Sequence, residues 1–126
     1  MSEQKTVNRD ELLTILDAAL TEKEWAAEVK AYAKEHGWLV SHVRPSWARD
    51  NRTIAGIRWV SATEGDVGVP DWVFARANSS GCGTVILAEL KTEKGRFRPG
   101  QEDWIRESGG YCWRPSDRQA MWEVLK

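Results

Sequence analysis

Two short stretches decide the fold of this chain: PDWVFAR at residues 70–76 and TVILAELK at residues 84–91. Both are rich in the β-branched and aromatic residues that favour strands. The segment between them, Asn78 to Gly83, has the Asn, Ser and Gly content of a hairpin loop. The sequence therefore predicts an antiparallel hairpin. Its second strand is apolar on both faces until its end, which indicates a buried, central position in a sheet.

This hairpin is expected to bring two carboxylates and one amine together. The register follows if Arg76 pairs with Thr84 across the loop. Asp71 then lies opposite Glu89 on the same face of the sheet, with Cβ atoms about 5 Å apart. Lys91 shares that face because side chains alternate along a strand. Two neighbouring carboxylates repel each other, and a bound Mg²⁺ or Mn²⁺ would remove the repulsion, since both ions prefer oxygen ligands.

Two helices are predicted before the hairpin. The first runs from Asn8 to Leu20, and the second runs from Thr21 to about His36, where Gly37 ends it. Thr21 and Glu24 form a capping box at the start of the second helix. The apolar positions of the first helix fit a helical stripe: Leu12, Leu13, Ile15, Leu16 and Leu20.

A third carboxylate is expected from the second helix. Glu22 lies three residues before Trp25, so both residues share the helix face that packs on the sheet. Glu24 is a competitor whose capping role already explains it. Glu28, three residues after Trp25, is a further alternative. We favour Glu22 and leave the other two open.

The remaining segments complete a mixed central sheet flanked by helices. Strands are predicted at residues 38–43 and 111–114, and residues 57–61 are a candidate for a short strand. A helix is predicted from Gln101 to Ser108, and Ser116 is expected to cap the last helix. The predicted order is α-α-β-β-β-α-β-α, an α/β fold. The 126 residues form one domain, with residues 1–20 as an N-terminal helical extension.

Composition excludes several classes of protein. Apolar residues make up 41% and charged residues 29% of the chain, as in ordinary globular domains. The sequence contains no run of about 20 apolar residues that could cross a membrane, and its first residues lack a signal-peptide pattern. We therefore expect a cytoplasmic protein without a membrane partner. The net charge of −1 leaves a nucleic-acid partner open, because a local patch matters more than the sum.

Basic residues are predicted to border the site on two segments. Such clusters contact phosphates and make binding dependent on salt. The alternative is a solvated loop; we favour the phosphate-contacting patch for the first cluster below and leave both interpretations open for the second. One cluster follows the second hairpin strand and contains Lys94, Arg96 and Arg98. The other lies in a polar loop after the first strand and contains Arg44, Arg49, Arg52 and Arg58.

These residues carry a resemblance to a known family. Pro70-Asp71, followed after seventeen residues by Glu89-Leu90-Lys91, is similar to the PD-(D/E)XK nuclease signature. More narrowly, residues 20–126 resemble the VRR-NUC family (virus-type replication-repair nucleases), especially its small phage-encoded members. The supporting segments are residues 21–25, 37–38, 68–71, 88–96, 99–101 and 113–117.

The resemblance implies a role for each site residue. Lys91 would serve the attacking water, and Gln101 would help to position the site. Glu22 would be the helix acid. The implied ligands of Mg²⁺ or Mn²⁺ are Asp71, Glu89, the backbone carbonyl of Leu90 and Glu22.

The resemblance also implies a fold, a reaction and an assembly. The fold is a restriction-endonuclease-like core. The reaction is metal-dependent hydrolysis of DNA, selective for branched, junction or flap structures in replication, recombination or repair. The assembly is a homodimer in the cytoplasm, or in the host cytoplasm if the chain is phage-encoded. The alternatives are a nuclease that acts on linear duplex DNA and a catalytically inactive nucleic-acid-binding module.

Overall fold

The computed structural model describes residues 6–43 and 65–126, together with the backbone of residues 47–50 and 58–61. The helices in these residues are α1 (Arg9–Ala19), α2 (Glu22–Glu35), α3 (Gln101–Ser108) and α4 (Arg118–Leu125). The strands are β1 (Leu39–His42), β2 (Trp47–Asp50), β3 (Arg58–Ser61), β4 (Trp72–Ala77), β5 (Gly83–Leu90) and β6 (Tyr111–Trp113).

The central hairpin has the predicted register. β4 and β5 pair antiparallel, with Arg76 opposite Thr84 and Trp72 opposite Ala88. The loop between them is closed by the Asn78 backbone N–H, which donates to the carbonyl of Cys82 at 2.8 Å. β5 lies inside the sheet, between β4 and β6, as predicted. Its burial is predicted only in part, because the first three residues of β5 are exposed and its last three are buried.

Four strands form one mixed, open sheet in the order β1-β4-β5-β6. β1 pairs antiparallel with β4, and β6 pairs parallel with β5. Together with the four helices, these strands follow the predicted order α-α-β-β-β-α-β-α, so the α/β class is confirmed.

β2 and β3 form a separate two-stranded antiparallel sheet. β3 corresponds to the strand candidate at residues 57–61. β2 lies in the segment that we predicted to be a polar loop, so that prediction is wrong there. Four residues are too few for the alternation of apolar and polar side chains to be distinguished from a loop.

One face of the four-stranded sheet packs against α2 and α4. Trp25 on α2 donates its indole N–H to the carbonyl of Trp113 at 2.9 Å, and Trp38 donates to the carbonyl of Leu125 at 2.8 Å. These bonds satisfy the polar ends of large buried side chains. The core consists of Trp25, Val29, Ala33, Trp38, Trp72, Phe74, Ala88, Leu90, Trp113, Met121 and Leu125.

Most of the predicted apolar stripe of α1 does not face this core; of its members, Leu20, directly after the helix, packs against the core. The helix forms as predicted, with the side chain of Asn8 accepting from the N–H of Glu11. The buried residue of α1 is Asp17, whose carboxylate pairs with Arg118 at 3.0 Å. Four apolar side chains of α1 are between 42% and 57% exposed: Leu12, Leu13, Ile15 and Leu16. These four residues form an exposed surface that we call the α1 face.

The helix starts agree with the sequence in α2 and differ in α4. Thr21 and Glu24 form the predicted capping box, with both hydrogen bonds at 3.1 Å. The last helix begins at Arg118 after a 3-10 turn at Pro115–Asp117, so Ser116 is not its N-cap.

Within the described residues, no helix has the length and apolar character needed to cross a bilayer.

Two glycines let the loop before β4 press against the loop before α3. Gly68 and Gly100 have φ of +96° and +85°, a conformation that favours glycine. A Cβ on Gly100 would overlap the carbonyl oxygen of Val67, and a Cβ on Gly68 would overlap the backbone of Gly100. This contact fixes the distance between the segments that lead into β4 and α3.

We expect Gly100→Ala to destabilise the fold by more than about 1 kcal/mol, because it adds a backbone clash to the strain of a left-handed alanine. Gly81→Ala is the matched control. Gly81 has a φ of +84°, and no described atom lies within 4 Å of its added Cβ. Urea unfolding measures both variants. Equal losses of stability would contradict the close approach of the two loops.

Candidate active site

The buried carboxylate of Glu89 lies at the centre of the site, with the residue 3% exposed. Its Oε1 accepts a hydrogen bond from Nε2 of Gln101 at 3.1 Å and lies 3.7 Å from Nζ of Lys91. Its Oε2 accepts from the backbone N–H of Asp71 at 3.3 Å. Both oxygens therefore have partners, as a buried charge requires.

Asp71 directly precedes β4, where its carbonyl accepts from the backbone N–H of Val43 at 2.7 Å, and it brings a second carboxylate to the site. Burial raises the pKa of Asp71 above its ordinary value. The charge of His42 lowers this pKa, and the charge of Glu22 raises it, with His42 having the larger effect of the two. Burial also raises the pKa of Glu89, and the charge of Asp71 raises it further, while Lys91 opposes the shift. The two carboxylates thus repel each other in a partly dehydrated site.

Lys91 follows β5 and is 9% exposed. Its backbone N–H donates to the carbonyl of Trp113 at 3.1 Å, which extends the parallel pairing with β6. Its ammonium lies 6.0 Å from the centre of the Phe97 ring. The chain after β5 therefore holds the amine beside the carboxylates, as the sequence predicts.

Arg114 organises the loop after Lys91, a role that the sequence did not reveal. Its Nη1 donates to the carbonyls of Thr92 and Gly95 at 2.6 and 2.7 Å. Its guanidinium also lies 5.9 Å from the centre of the Phe97 ring. One feature of the sequence could have indicated this role: Arg114 lies in residues 113–117, a segment that resembles the nuclease family.

Gln101 is the first residue of α3, and its amide orientation is fixed from both ends. Oε1 accepts from the backbone N–H of Arg98 at 2.7 Å, so Nε2 faces Glu89. The residue is 6% exposed. Gln101 thus acts on Glu89 as a positioning residue.

Glu22, Glu24 and Glu28 occupy different surroundings. Glu24 caps α2, and Glu28 binds the guanidinium of Arg118 through both oxygens, at 2.8 and 3.1 Å. The charge of Glu22 raises the pKa of both Asp71 and Glu89. Of the three candidate helix acids, Glu22 therefore borders the carboxylate pair, while the other two are engaged elsewhere.

One of the two predicted basic clusters is described. Lys94, Arg96 and Arg98 are exposed in the loop before α3. Arg98 is close enough to Asp71 for its charge to lower the pKa of that carboxyl group. The other cluster has side chains outside the described residues: Arg44, Arg49, Arg52 and Arg58.

Few described side chains at the site could bind a metal ion. Among residues 6–43 and 65–126, no group of three or more His, Cys, Asp and Glu side chains is arranged to hold a metal ion. Asp71 and Glu89 offer two carboxylates. Mg²⁺ keeps several waters and needs one or two carboxylates beside substrate phosphates. A cation would also offset the repulsion by Asp71, which adds to burial in raising the pKa of Glu89. The pair therefore fits a hydrated Mg²⁺ or Mn²⁺ ion.

Comparison with known proteins gives no relative of this chain. No family model, no curated protein and no solved structure matches it. Its function is therefore inferred from its own residues and their arrangement.

The raised pKa values predict a pH effect on stability. The folded state keeps protons on Asp71 and Glu89 at pH values where the unfolded state has released them, so these groups stabilise the fold least at high pH. This loss begins near the ordinary values of 3.8 and 4.5 and continues up to the raised values. We expect Glu89→Gln to gain stability relative to wild type as the pH rises from about 4 to about 7.

Urea unfolding in EDTA across this pH range measures the difference between the two proteins. Glu123→Gln is the matched control, since Glu123 is an exposed acid on α4 that pairs with Lys126 at 2.9 Å. That control should follow the wild-type pH dependence. A Glu89→Gln variant that does the same would show that the carboxylate pair carries no such strain.

Proposed function

We propose that this chain is a metal-dependent DNA endonuclease of the PD-(D/E)XK type and a small member of the VRR-NUC family. One observation carries the proposal. Asp71, Glu89 and Lys91 meet at one end of the central hairpin, and Gln101 holds the buried carboxylate of Glu89 at 3.1 Å. A carboxylate pair with raised pKa values beside an amine is a candidate functional site.

The topology supports a restriction-endonuclease-like core. The elements follow the order predicted from the sequence, and their central part runs α-β-β-β-α-β through α2, β1, β4, β5, α3 and β6, with β6 parallel to β5. β2 and β3 form an insertion between the first two strands of this core.

The reaction would be hydrolysis of a phosphodiester. A water attacks phosphorus, the bond to the leaving oxygen breaks, and a 5′-phosphate remains, as in the family that the chain resembles. Asp71, Glu89, the Leu90 carbonyl and Glu22 would hold Mg²⁺ or Mn²⁺, which when bound stabilises charge on the phosphoryl oxygens. Lys91 would donate a hydrogen bond that orients the water.

The substrate and the assembly belong to the same proposal. Lys94, Arg96 and Arg98 are exposed beside Asp71, where they would contact phosphates of branched or flap DNA. The exposed α1 face supports a homodimer, because an apolar surface of this kind is typical of a protein–protein contact. Two copies of the site would suit a junction in which two strands are cut.

We expect cleavage of end-labelled DNA with Mn²⁺ or Mg²⁺ and none in EDTA, with a four-way junction or flap cut faster than single strands or linear duplex. Glu89→Gln and Lys91→Met should each slow cleavage by about 10²-fold or more. Glu123→Gln, which removes an acid far from the site, should cut at the wild-type rate.

Mn²⁺ should also raise the melting temperature of wild type and of Glu123→Gln, but not that of Glu89→Gln, because a ligand of the folded state stabilises it. Salt-sensitive DNA binding without cleavage of any substrate would favour the binding-module alternative. Preferred cleavage of linear duplex would favour the alternative substrate.

We expect the wild type to be a dimer by light scattering at micromolar concentration. Leu12→Gln with Leu16→Gln should weaken the dimer at least about a hundredfold, because each buried leucine contributes about 1.5–3 kcal/mol. Leu39→Gln is the control, since Leu39 is 70% exposed on β1, away from the α1 face. A monomeric wild type would overturn the homodimer.

A further inference from the structure

A groove of about 460 Å³ runs between α2 and β1, an edge strand of the four-stranded sheet. Lys23, Ala26, Ala27 and Lys30 line its helical side. His42 and Trp72 line its strand side, and Glu22 lies at the same groove.

The helical side places two cations along a shallow wall. Lys23, Ala26, Ala27 and Lys30 occupy positions i, i+3, i+4 and i+7, so they form one stripe on the helix. The two lysines lie two turns apart, about 10 Å along the helix axis. Both are exposed, and neither has an ion-pair partner among the residues that the structure describes. The two alanines leave the space between the cations open.

The strand side presents an aromatic platform. The rings of His42 and Trp72 stack with their centres 4.1 Å apart and an angle of 6° between their planes. Trp72 is 7% exposed and anchors the stack in the core, whereas His42 is exposed. Aromatic rings flanked by cations are the surface on which proteins stack the bases of single strands.

We infer that this groove binds a single-stranded segment of DNA, with its phosphates on Lys23 and Lys30 and a base against the His42–Trp72 stack. Bases in a duplex are stacked on one another, so a strand must be unpaired to offer a base to this platform. The inference rests on the proposed function, because Glu22 connects the groove to Asp71 and Glu89. A strand in the groove would lead into the carboxylate pair.

The basic loop that contains Lys94, Arg96 and Arg98 also lies near the carboxylates of Asp71 and Glu89. Arg98, in the loop before α3, acts electrostatically on Asp71, as Glu22 does from α2. Arg98 also donates its backbone N–H to Gln101 at 2.7 Å, and Gln101 holds Glu89 at 3.1 Å, while Trp72 of the groove directly follows Asp71. The carboxylates are therefore connected to both the α2–β1 groove and the exposed basic loop. This arrangement suits DNA in which a duplex and a single strand meet at the bond to be cut.

The test is fluorescence anisotropy of labelled oligo(dT) of about 12 nucleotides, with EDTA present so that no cleavage occurs. Lys23→Gln with Lys30→Gln should weaken binding about tenfold or more at low salt. It should also reduce the slope of log K against log salt by about 1.4, since each phosphate contact on a single strand contributes about 0.7. Arg106→Gln with Lys126→Gln removes two exposed charges elsewhere and should leave affinity and slope unchanged.

An abasic strand of the same length tests the platform. Wild type should bind oligo(dT) more tightly than the abasic strand, and His42→Ala should bind the two alike, because stacking is the contribution that the abasic strand lacks. Unchanged affinity and salt slope in the double lysine variant would overturn the inference. Equal displacement of oligo(dT) by polyglutamate would do the same, since it would show a site for any polyanion.

The groove and the nuclease proposal fail in different ways. Groove-dependent binding without cleavage of any substrate in Mn²⁺ or Mg²⁺ would overturn the nuclease and keep the single-strand site. Metal-dependent cleavage with wild-type flap affinity in the double lysine variant would overturn the groove and keep the nuclease.

Discussion

The structure depends on burial of the Glu89 carboxylate. A charge that is 3% exposed needs hydrogen bonds and a counter-charge to offset its lost hydration. The partners come from three separate segments: Gln101 at the start of α3, the N–H of Asp71 before β4, and Lys91 after β5. Each segment must hold its place for the charge to stay satisfied, so fold and site constrain each other. The close approach of Gly68 and Gly100 keeps two of these segments together.

The parts of this arrangement that depend on local sequence were predictable. The loop after Asn78 sets the register of β4 against β5, and the register carries Asp71 to Glu89 because side chains alternate. The capping box at Thr21 fixes the start of α2 and therefore the position of Glu22. The preference for Glu22 over Glu28, already made from the sequence, gains support from a distant residue. Arg118, which pairs with Glu28, is 90 positions away in the sequence.

Long-range partners also explain what the sequence could not reveal. Periodicity predicted the apolar stripe of α1, but periodicity does not say what covers a helix. The Asp17–Arg118 ion pair turns the polar side of this helix inward. The strand β2 is short and its pairing with β3 crosses seven intervening residues, so no local pattern marked it. Arg114 reaches back about twenty positions to bind the loop after β5, a contact that requires the parallel pairing of β6.

The two ends of β4 differ in a way that stability alone does not explain. At its C-terminal end, Arg76 donates to the carbonyls of His36 and Lys126 at 2.8 and 3.0 Å and stacks 4.2 Å from the Trp38 ring centre. At the N-terminal end, burial raises the pKa of both Asp71 and Glu89, and the two carboxylates repel each other beside the ammonium of Lys91. Apolar side chains often stabilise a fold as well as a buried ionic group does. A cluster of strained charges at one end of a well-satisfied sheet therefore supports the proposal that this end carries chemistry.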